Sequence, residues 1–346
     1  MAVQPDCNKL PALYEQAPPA TPLLDINFGF ARARALDTAL NLDLFTALAG
    51  GANTCATLAV ATGSDSDGLQ LLLDALVALE LLMCRDGIYS LSYLAASYLV
   101  KEQPGYIGAH LMAVMEQWNT WSELTRVMRE GRKKRSGHIP DLGAPGARSR
   151  NAGMFAEQFP LVFPGAWQAA CQFDQPLCGC MLDLFAGSGA WGIAFALCHP
   201  QIHVVVRDEA ALLEMLRERI AQSGLEERFT LQAIENEENC RSSERFDLIA
   251  LGNVCRFIGA RRSQALLREC YQRLQPGGKL LLADVMRNEA RTGPPAALII
   301  GLSLFINTQE GEVFTAAQYR AWLKAAGFEQ IHDLKTGQGP LLLASR

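Results

Sequence analysis

From Met181 to the C-terminus the sequence alternates short apolar runs with longer stretches of helical period, and this constrains the fold more than any other feature. "MLDLF" is followed by "GAWGIAFALCHP", "IHVVVRD" by "ALLEMLRERIAQSG", and "FDLIALGNV" by "SQALLRECYQRL". "GGKLLLADV", the helical "TAAQYRAWLKAAG" and the strands "FEQIHDL" and "GPLLLASR" complete the series. The pattern predicts an α/β, Rossmann-like, doubly wound parallel sheet that binds its ligand at the carboxyl ends of the strands.

One strand-to-helix junction carries more information than the others. In "DLFAGSGAWG", Asp183 to Gly192, an apolar strand enters a Gly-x-Gly turn that opens a helix. Gly187 and Gly189 allow the backbone to pass close to a ligand, and the helix start offers free N–H groups. Asp208 ends the next strand, where a carboxylate can hold both hydroxyls of a ribose. A dinucleotide site prefers its glycine motif directly after the strand, whereas here Asp183 stands four residues before Gly187. An acid at that place suits a cofactor with a cationic aminoacyl end, which points to S-adenosyl-L-methionine.

The first half of the chain reads differently. Residues 1–22 are rich in proline and predicted to be extended. "FGFARARALDTALNLDLFTALAG" has the period of one amphipathic helix ending at Gly50 and Gly51. A short helix, a glycine turn, a longer helix and a two-strand ribbon around Arg85, Asp86 and Gly87 follow, and together they describe a winged helix over residues 23–104. Its longer helix, "DGLQLLLDALVALELL", has no Arg or Lys, so it lacks the side chains for major-groove readout and is assigned to dimerisation. Residues 105–170 read as a helical cap whose clearest helix is "HLMAVMEQWNTWSELTRVMREG", and residues 171–346 as the sheet domain.

Composition narrows the function classes. A chain of 346 residues, 49% hydrophobic, can bury cores for two or three domains. Its formal net charge of −5 argues against a broad nucleic-acid footprint, and "GRKKRSGH", the only dense basic run, reads as a solvated loop. Neither a membrane span nor a signal peptide is legible, so a cytoplasmic protein is expected. The ten cysteines form no CxxC pair, which points to free thiols and no metal site.

These motifs, in this order, resemble the S-adenosylmethionine-dependent small-molecule methyltransferase family with an N-terminal winged-helix dimerisation domain, the plant-type and bacterial natural-product O-methyltransferases. The resemblance rests on "ALNLDLFTALA", "LLLDALVALELL" and "YSLSYLAASYLV" in the first domain. In the class I methyltransferase domain it rests on "LDLFAGSG", "FDLIALGNV", "LQPGGKLLLADV" and "FTAAQYRAWLKAAGF". It implies a homodimer acting on a small-molecule substrate. It also implies that Asp183, Phe185, Gly187, Gly189 and Asn253 surround the cofactor, that Asp208 holds its ribose, and that Glu235 lies beside its adenine.

The departures from the family bear on catalysis. Arg256 stands where the family usually has its general-base histidine, Asn307 replaces a second histidine, and Phe185 occupies a position that is usually glycine. "DLFAGSG" also resembles the turn of some RNA-modifying methyltransferases, but "GNVCRF" lacks their Pro-Pro-aromatic motif. Arginine cannot act as a base. It can favour an anionic phenol or enol, or grip a carboxylate, so the tip bearing Arg256 and Asn253 is expected to hold an anion; the alternatives are that Arg256 turns outward or makes a structural pair, and that His110 approaches from the cap as a substitute base.

The expected reaction is O-methylation of an acidic, phenolic or enolic natural-product-like substrate. C-methylation through an enolate or electron-rich ring, and a non-methylating role in cyclisation, rearrangement or binding alone, remain as alternatives. Met112, Met115, Trp118, Trp121, Met154, Phe155, Phe159, Phe305 and Asn307 are the expected substrate liners, and Phe163 is a further apolar candidate.

Overall fold

The computed structural model describes residues 17–132, 141–234, 244–337 and 339–346. Glu235, most of the basic run after Gly131 and most of the N-terminal segment lie outside the described residues. The chain forms two compact units, Met1–Gln103 and Pro104–Arg346.

The first unit contains α1 (Thr21–Asn27), α2 (Gly29–Asn41), α3 (Leu44–Ala49), α4 (Cys55–Thr62) and α5 (Ser66–Ala78). The antiparallel ribbon β1 (Leu82–Arg85) and β2 (Ile88–Leu91) follows, and then α6 (Tyr93–Tyr98). The single helix expected over Gly29 to Ala49 is divided, because Asp43 takes a left-handed conformation (φ 54°) between α2 and α3. The predicted turn helix and ribbon form as expected. Thr54 caps α4 through a reciprocal pair with Thr57, and the Asp65 side chain caps α5. Leu44, Phe45, Leu58, Leu73, Leu76 and Leu82 fill the core of this unit. Leu23, Ile26, Phe28, Phe30, Leu71 and Tyr93 stand exposed on it.

The second unit opens with short helices α7 (Gly108–Met115), α8 (Trp118–Ser122), α9 (Leu124–Glu130), α10 (Ala147–Arg150) and α11 (Ala152–Ala156), then α12 (Phe159–Ala170). The one helix predicted over His110 to Gly131 is three, because tight i→i−3 bonds at Gln117, Thr120 and Glu123 end and restart it.

The sheet is built from β3 (Cys178–Leu184), β4 (Gln201–Asp208), β5 (Phe229–Ala233), β6 (Phe246–Gly252), β7 (Leu274–Ala283), β8 (Gln330–Thr336) and β9 (Gly339–Ser345). Its order is β5-β4-β3-β6-β7-β9-β8. The first five strands are mutually parallel, and β9 runs antiparallel to both β7 and β8. The crossover helices are α13 (Ala190–Cys198), α14 (Ala210–Gln222) and α15 (Cys255–Arg273, interrupted at Gly259); α16 (Pro295–Asn307) and α17 (Ala316–Ala326) precede the closing hairpin.

Successive strand residues serve opposite faces, as the pleat requires. Met181, Val204, Leu248 and Leu281 join one core with α12 and α13, while Leu182, Val205, Ile249 and Leu282 join the other with α15 and α17. Burial on both faces explains why these strands read as unbroken apolar runs. Among the described residues no helix is long and apolar enough to cross a membrane.

Candidate active site at the carboxyl edge of the sheet

The chain leaves β3 for β4 on one side, and leaves β6 for β7 on the other. The carboxyl ends of β3 and β6 therefore flank a topological switch point, the place where such sheets form a ligand crevice. Four strand tips meet this edge, bearing the glycine turn after Leu184, Asp208, Asn253 and Asp284.

Asp183 is fully buried one residue before the end of β3. Its Oδ2 accepts the Gly192 N–H at 2.8 Å, and its Oδ1 has no hydrogen-bond partner among the described residues. Burial pushes its pKa up to about 7, with the nearby Asp208 acting in the same direction and the Gly192 N–H opposing. Gly189 begins α13 at φ 73°, and a Cβ there would lie 2.1 Å from Leu216 Cδ1. Phe185 is left-handed at φ 56°, which explains why glycine is favoured at that position. Asn253 is left-handed too, at φ 60°, a region asparagine tolerates.

Asp208 is saturated. Its Oδ1 accepts from Arg148 Nε (2.9 Å) and the Glu209 N–H (2.8 Å), and its Oδ2 from Arg148 Nη2 (2.8 Å) and the Gly187 N–H (2.8 Å). Arg148 Nη2 also reaches the Phe185 carbonyl, and the guanidinium lies over the rings of Phe155 and Phe185. Glu209 accepts the Gly146 and Ser149 N–H groups, fixing α10 above this edge. Sequence reasoning missed Arg148, since nothing in "ARSR" separates it from a surface arginine.

The expected anion-holding arginine has an internal partner instead. Arg256 Nη1 donates to Asp284 Oδ1 at 2.7 Å and to Asn253 Oδ1, and the Arg256 N–H donates to Asp284 Oδ2. Asp284 also accepts from the Val285 N–H (2.8 Å) and the Tyr319 hydroxyl (2.9 Å). The side chains of Arg256 and Asp284 are 9% and 1% exposed. Arg256 supplies the counter-charge of this buried carboxylate. Burial and the adjacent Asp284 raise the Tyr319 pKa well above its ordinary value, so the hydroxyl stays a donor. Asp284 and Tyr319 were also missed, although Asp284 follows "KLLLA" as Asp208 ends its own strand.

The other expected residues divide among several places. Met154 and Phe155 are buried with Leu142 and Leu212, and the Phe155 ring meets Phe257 edge-on. Phe155 also borders the turn, its Cβ 3.8 Å from where a Gly187 Cβ would stand. Asn307 donates to Gln117, whose own amide donates to Met154 Sδ. Trp121 and Phe305 pack with Val127 and Ile306. Phe159 and Phe163 stack on each other against the sheet core, apart from this group. Met112 and Met115 are half-buried and Trp118 is exposed.

His110 is the most informative of these. Its Nδ1 lies 3.0 Å from the Met154 carbonyl, which can only accept, so Nδ1 carries the proton. Nε2 is left as a lone-pair acceptor with no partner among the described residues. Burial lowers the His110 pKa, against smaller opposing contributions from the Met154 carbonyl and Glu157, which keeps the ring neutral.

Known proteins resemble this chain in both of its domains. Residues 24–101 match the model of the O-methyltransferase dimerisation domain, and residues 167–329 match that of the O-methyltransferase domain. The chain is 28% identical over 329 residues to the tetracenomycin polyketide synthesis 8-O-methyl transferase of Streptomyces glaucescens, covering 93% of this chain and 95% of that one. It is 26% identical over 316 residues to the 3-hydroxy-5-methyl-1-naphthoate 3-O-methyltransferase of Streptomyces sahachiroi, covering 91% of each. Human N-acetylserotonin methyltransferase, solved in complex with its cofactor, shares the fold with a TM-score of 0.81 at 24% identity, covering 96% of this chain and 99% of that one. With both domain models matched in order, and relatives aligned over nine-tenths of their length, the chain belongs to the S-adenosylmethionine-dependent O-methyltransferase family.

Proposed function

We propose that the protein methylates a hydroxyl oxygen of a small, partly apolar phenol or enol of natural-product type, with His110 as general base. The observation that supports this best is the pairing of His110 Nδ1 with the Met154 carbonyl. It leaves a neutral ring with its acceptor nitrogen available, held against Met154, whose chain neighbour Phe155 borders Gly187.

The residues at the strand tips fit S-adenosyl-L-methionine. Asp183 offers a buried oxygen that lacks a donor, the glycine turn allows close backbone passage, and Asp208 supplies a carboxylate at the end of the next strand. When bound, the cofactor supplies an electrophilic sulfonium methyl whose leaving group is a neutral thioether. The chain therefore has to orient the acceptor and remove its proton. His110 Nε2 takes the hydroxyl proton, and the Met154 carbonyl holds the ring in the tautomer that allows this. Arg256 positions the tip of β6 through Asn253 and Asp284, and its charge is matched there. A hydroxyl acceptor agrees with the relatives, one named for O-methylation in polyketide synthesis and one for that of a hydroxynaphthoate. The exposed apolar side chains of the first unit and its match to a dimerisation domain support a homodimer.

His110→Gln tests the assignment against a panel of phenolic and enolic acceptors. The expected result is a fall in kcat of about 10²–10⁴-fold, with S-adenosylhomocysteine affinity unchanged by calorimetry. An unaltered kcat rules out the base, and a methyl group found on carbon by NMR replaces this reading with C-methylation.

A further inference from the structure

We infer that Arg148 is an internal competitor for the ribose-binding carboxylate, so that the cofactor docks only as the Arg148–Asp208 pair opens. The inference rests on the reading of Asp208 as the ribose acid. An ionised carboxylate offers about four lone-pair sites, and all four of those on Asp208 are engaged. Two are held by the Gly187 and Glu209 N–H groups, which belong to the turn and strand end themselves. The other two are held by Arg148 Nε and Nη2, a parallel fork spanning both oxygens. A ribose diol donates two hydroxyls to that same pair of oxygens, so it and the guanidinium exclude each other.

What yields is the side chain. Glu209 ties the backbone of α10 down at Gly146 and Ser149. The guanidinium is held by Asp208 and the Phe185 carbonyl and lies over the Phe155 and Phe185 rings, 4.6 and 5.7 Å from their centroids, 13% of the side chain being exposed. Arg148 Nη2 is also 3.4 Å from where a Gly187 Cβ would stand, inside the surface that the glycine turn keeps open. A ligand that binds only the open state has its apparent affinity reduced by the fraction of molecules that are open. The pair thereby sets the affinity for S-adenosylmethionine and for its product.

Titration calorimetry on the full-length protein tests this. Arg148→Met keeps an unbranched apolar stem but cannot donate, and it is expected to bind S-adenosylhomocysteine at least about fivefold more tightly than wild type. Arg148→Lys, a point charge without the fork, is expected to fall between the two and serves alone if the methionine variant does not melt cooperatively. Equal or weaker binding by the variants overturns the inference. 5′-Methylthioadenosine, which has the ribose but no carboxylate, identifies one cause of such weakening. A variant that weakens S-adenosylhomocysteine but not this analogue assigns Arg148 to holding the aminoacyl end, against the competitor role. If wild type and both folded variants bind neither molecule, the cofactor reading fails and takes the inference with it. Tighter binding in the variants upholds both.

Discussion

Asp284→Asn and Arg256→Met should destabilise the protein by unequal amounts, and the inequality follows from the hydrogen-bond count. In Asp284→Asn the guanidinium stays buried with only neutral amide oxygens as acceptors, that of Asn253 and that of the new side chain, and no counter-charge. Breaking a buried pair in this way costs about 3–5 kcal/mol. In Arg256→Met the carboxylate retains the Val285 N–H, the Arg256 backbone N–H and the Tyr319 hydroxyl. The loss is then nearer one charge-assisted bond, about 1.5–3 kcal/mol. The double variant removes both charges and should cost clearly less than the sum, with a coupling of about 1–3 kcal/mol. At about 2–4 °C per kcal/mol for a unit of this size, Asp284→Asn should lower the melting temperature by on the order of 10 °C and Arg256→Met by roughly half of that. The assay is thermal unfolding at one protein concentration, because dimerisation links the midpoint to concentration. Additive costs would refute the argument. So would a thermally silent Arg256→Met whose KM for acidic acceptors rises sharply, since the guanidinium would then be facing substrate.

Phe185→Gly should be more stable than Phe185→Ala by about 1 kcal/mol, because both lose the ring but only glycine escapes the left-handed penalty; melting temperatures of the two variants check it. Gly189→Ala should cost about 1–3 kcal/mol by overpacking against Leu216, and the double variant with Leu216→Ala should cost less than the sum of the two single changes in the same unfolding assay. Asp183, whose pKa is raised to about 7, holds its proton in the folded state over a range where the unfolded chain has released it. Its contribution to stability is therefore full below pH 4 and declines as pH rises through about 7. Cationic cofactor favours the ionised form, so binding near pH 7 should release a fraction of a proton, seen as a calorimetric enthalpy that depends on the buffer's ionisation enthalpy.

Much of the fold was legible because burial leaves a periodic signature. Strands covered on both faces read as unbroken apolar runs, and "DLFAGSG" and Asp208 mark the two tips flanking the glycine turn. The cap was harder to read. The tight turns that break the segment from His110 to Gly131 into three helices involve neither Pro nor Gly. The partners of charged residues were hardest. Arg148 lies 60 residues from Asp208, and Arg256 lies 28 from Asp284. Such pairs are set by which strand tips adjoin in space, and local spacing carries no trace of that. The arginine at the place of the usual histidine is visible in the sequence, while the carboxylate that neutralises it is defined only by the sheet order.

The Met154 carbonyl accepts from both His110 Nδ1 and the Gln158 amide, at 3.0 and 2.8 Å. Nδ1 is a donor whether the imidazole is neutral or charged, so this arrangement is indifferent to the ring's protonation state. A proton can arrive at Nε2 and depart again while every hydrogen bond supporting the ring stays as it was. With His110 as the proposed base, each turnover needs no rearrangement of the scaffold around the ring, and resetting reduces to passing one proton on to solvent.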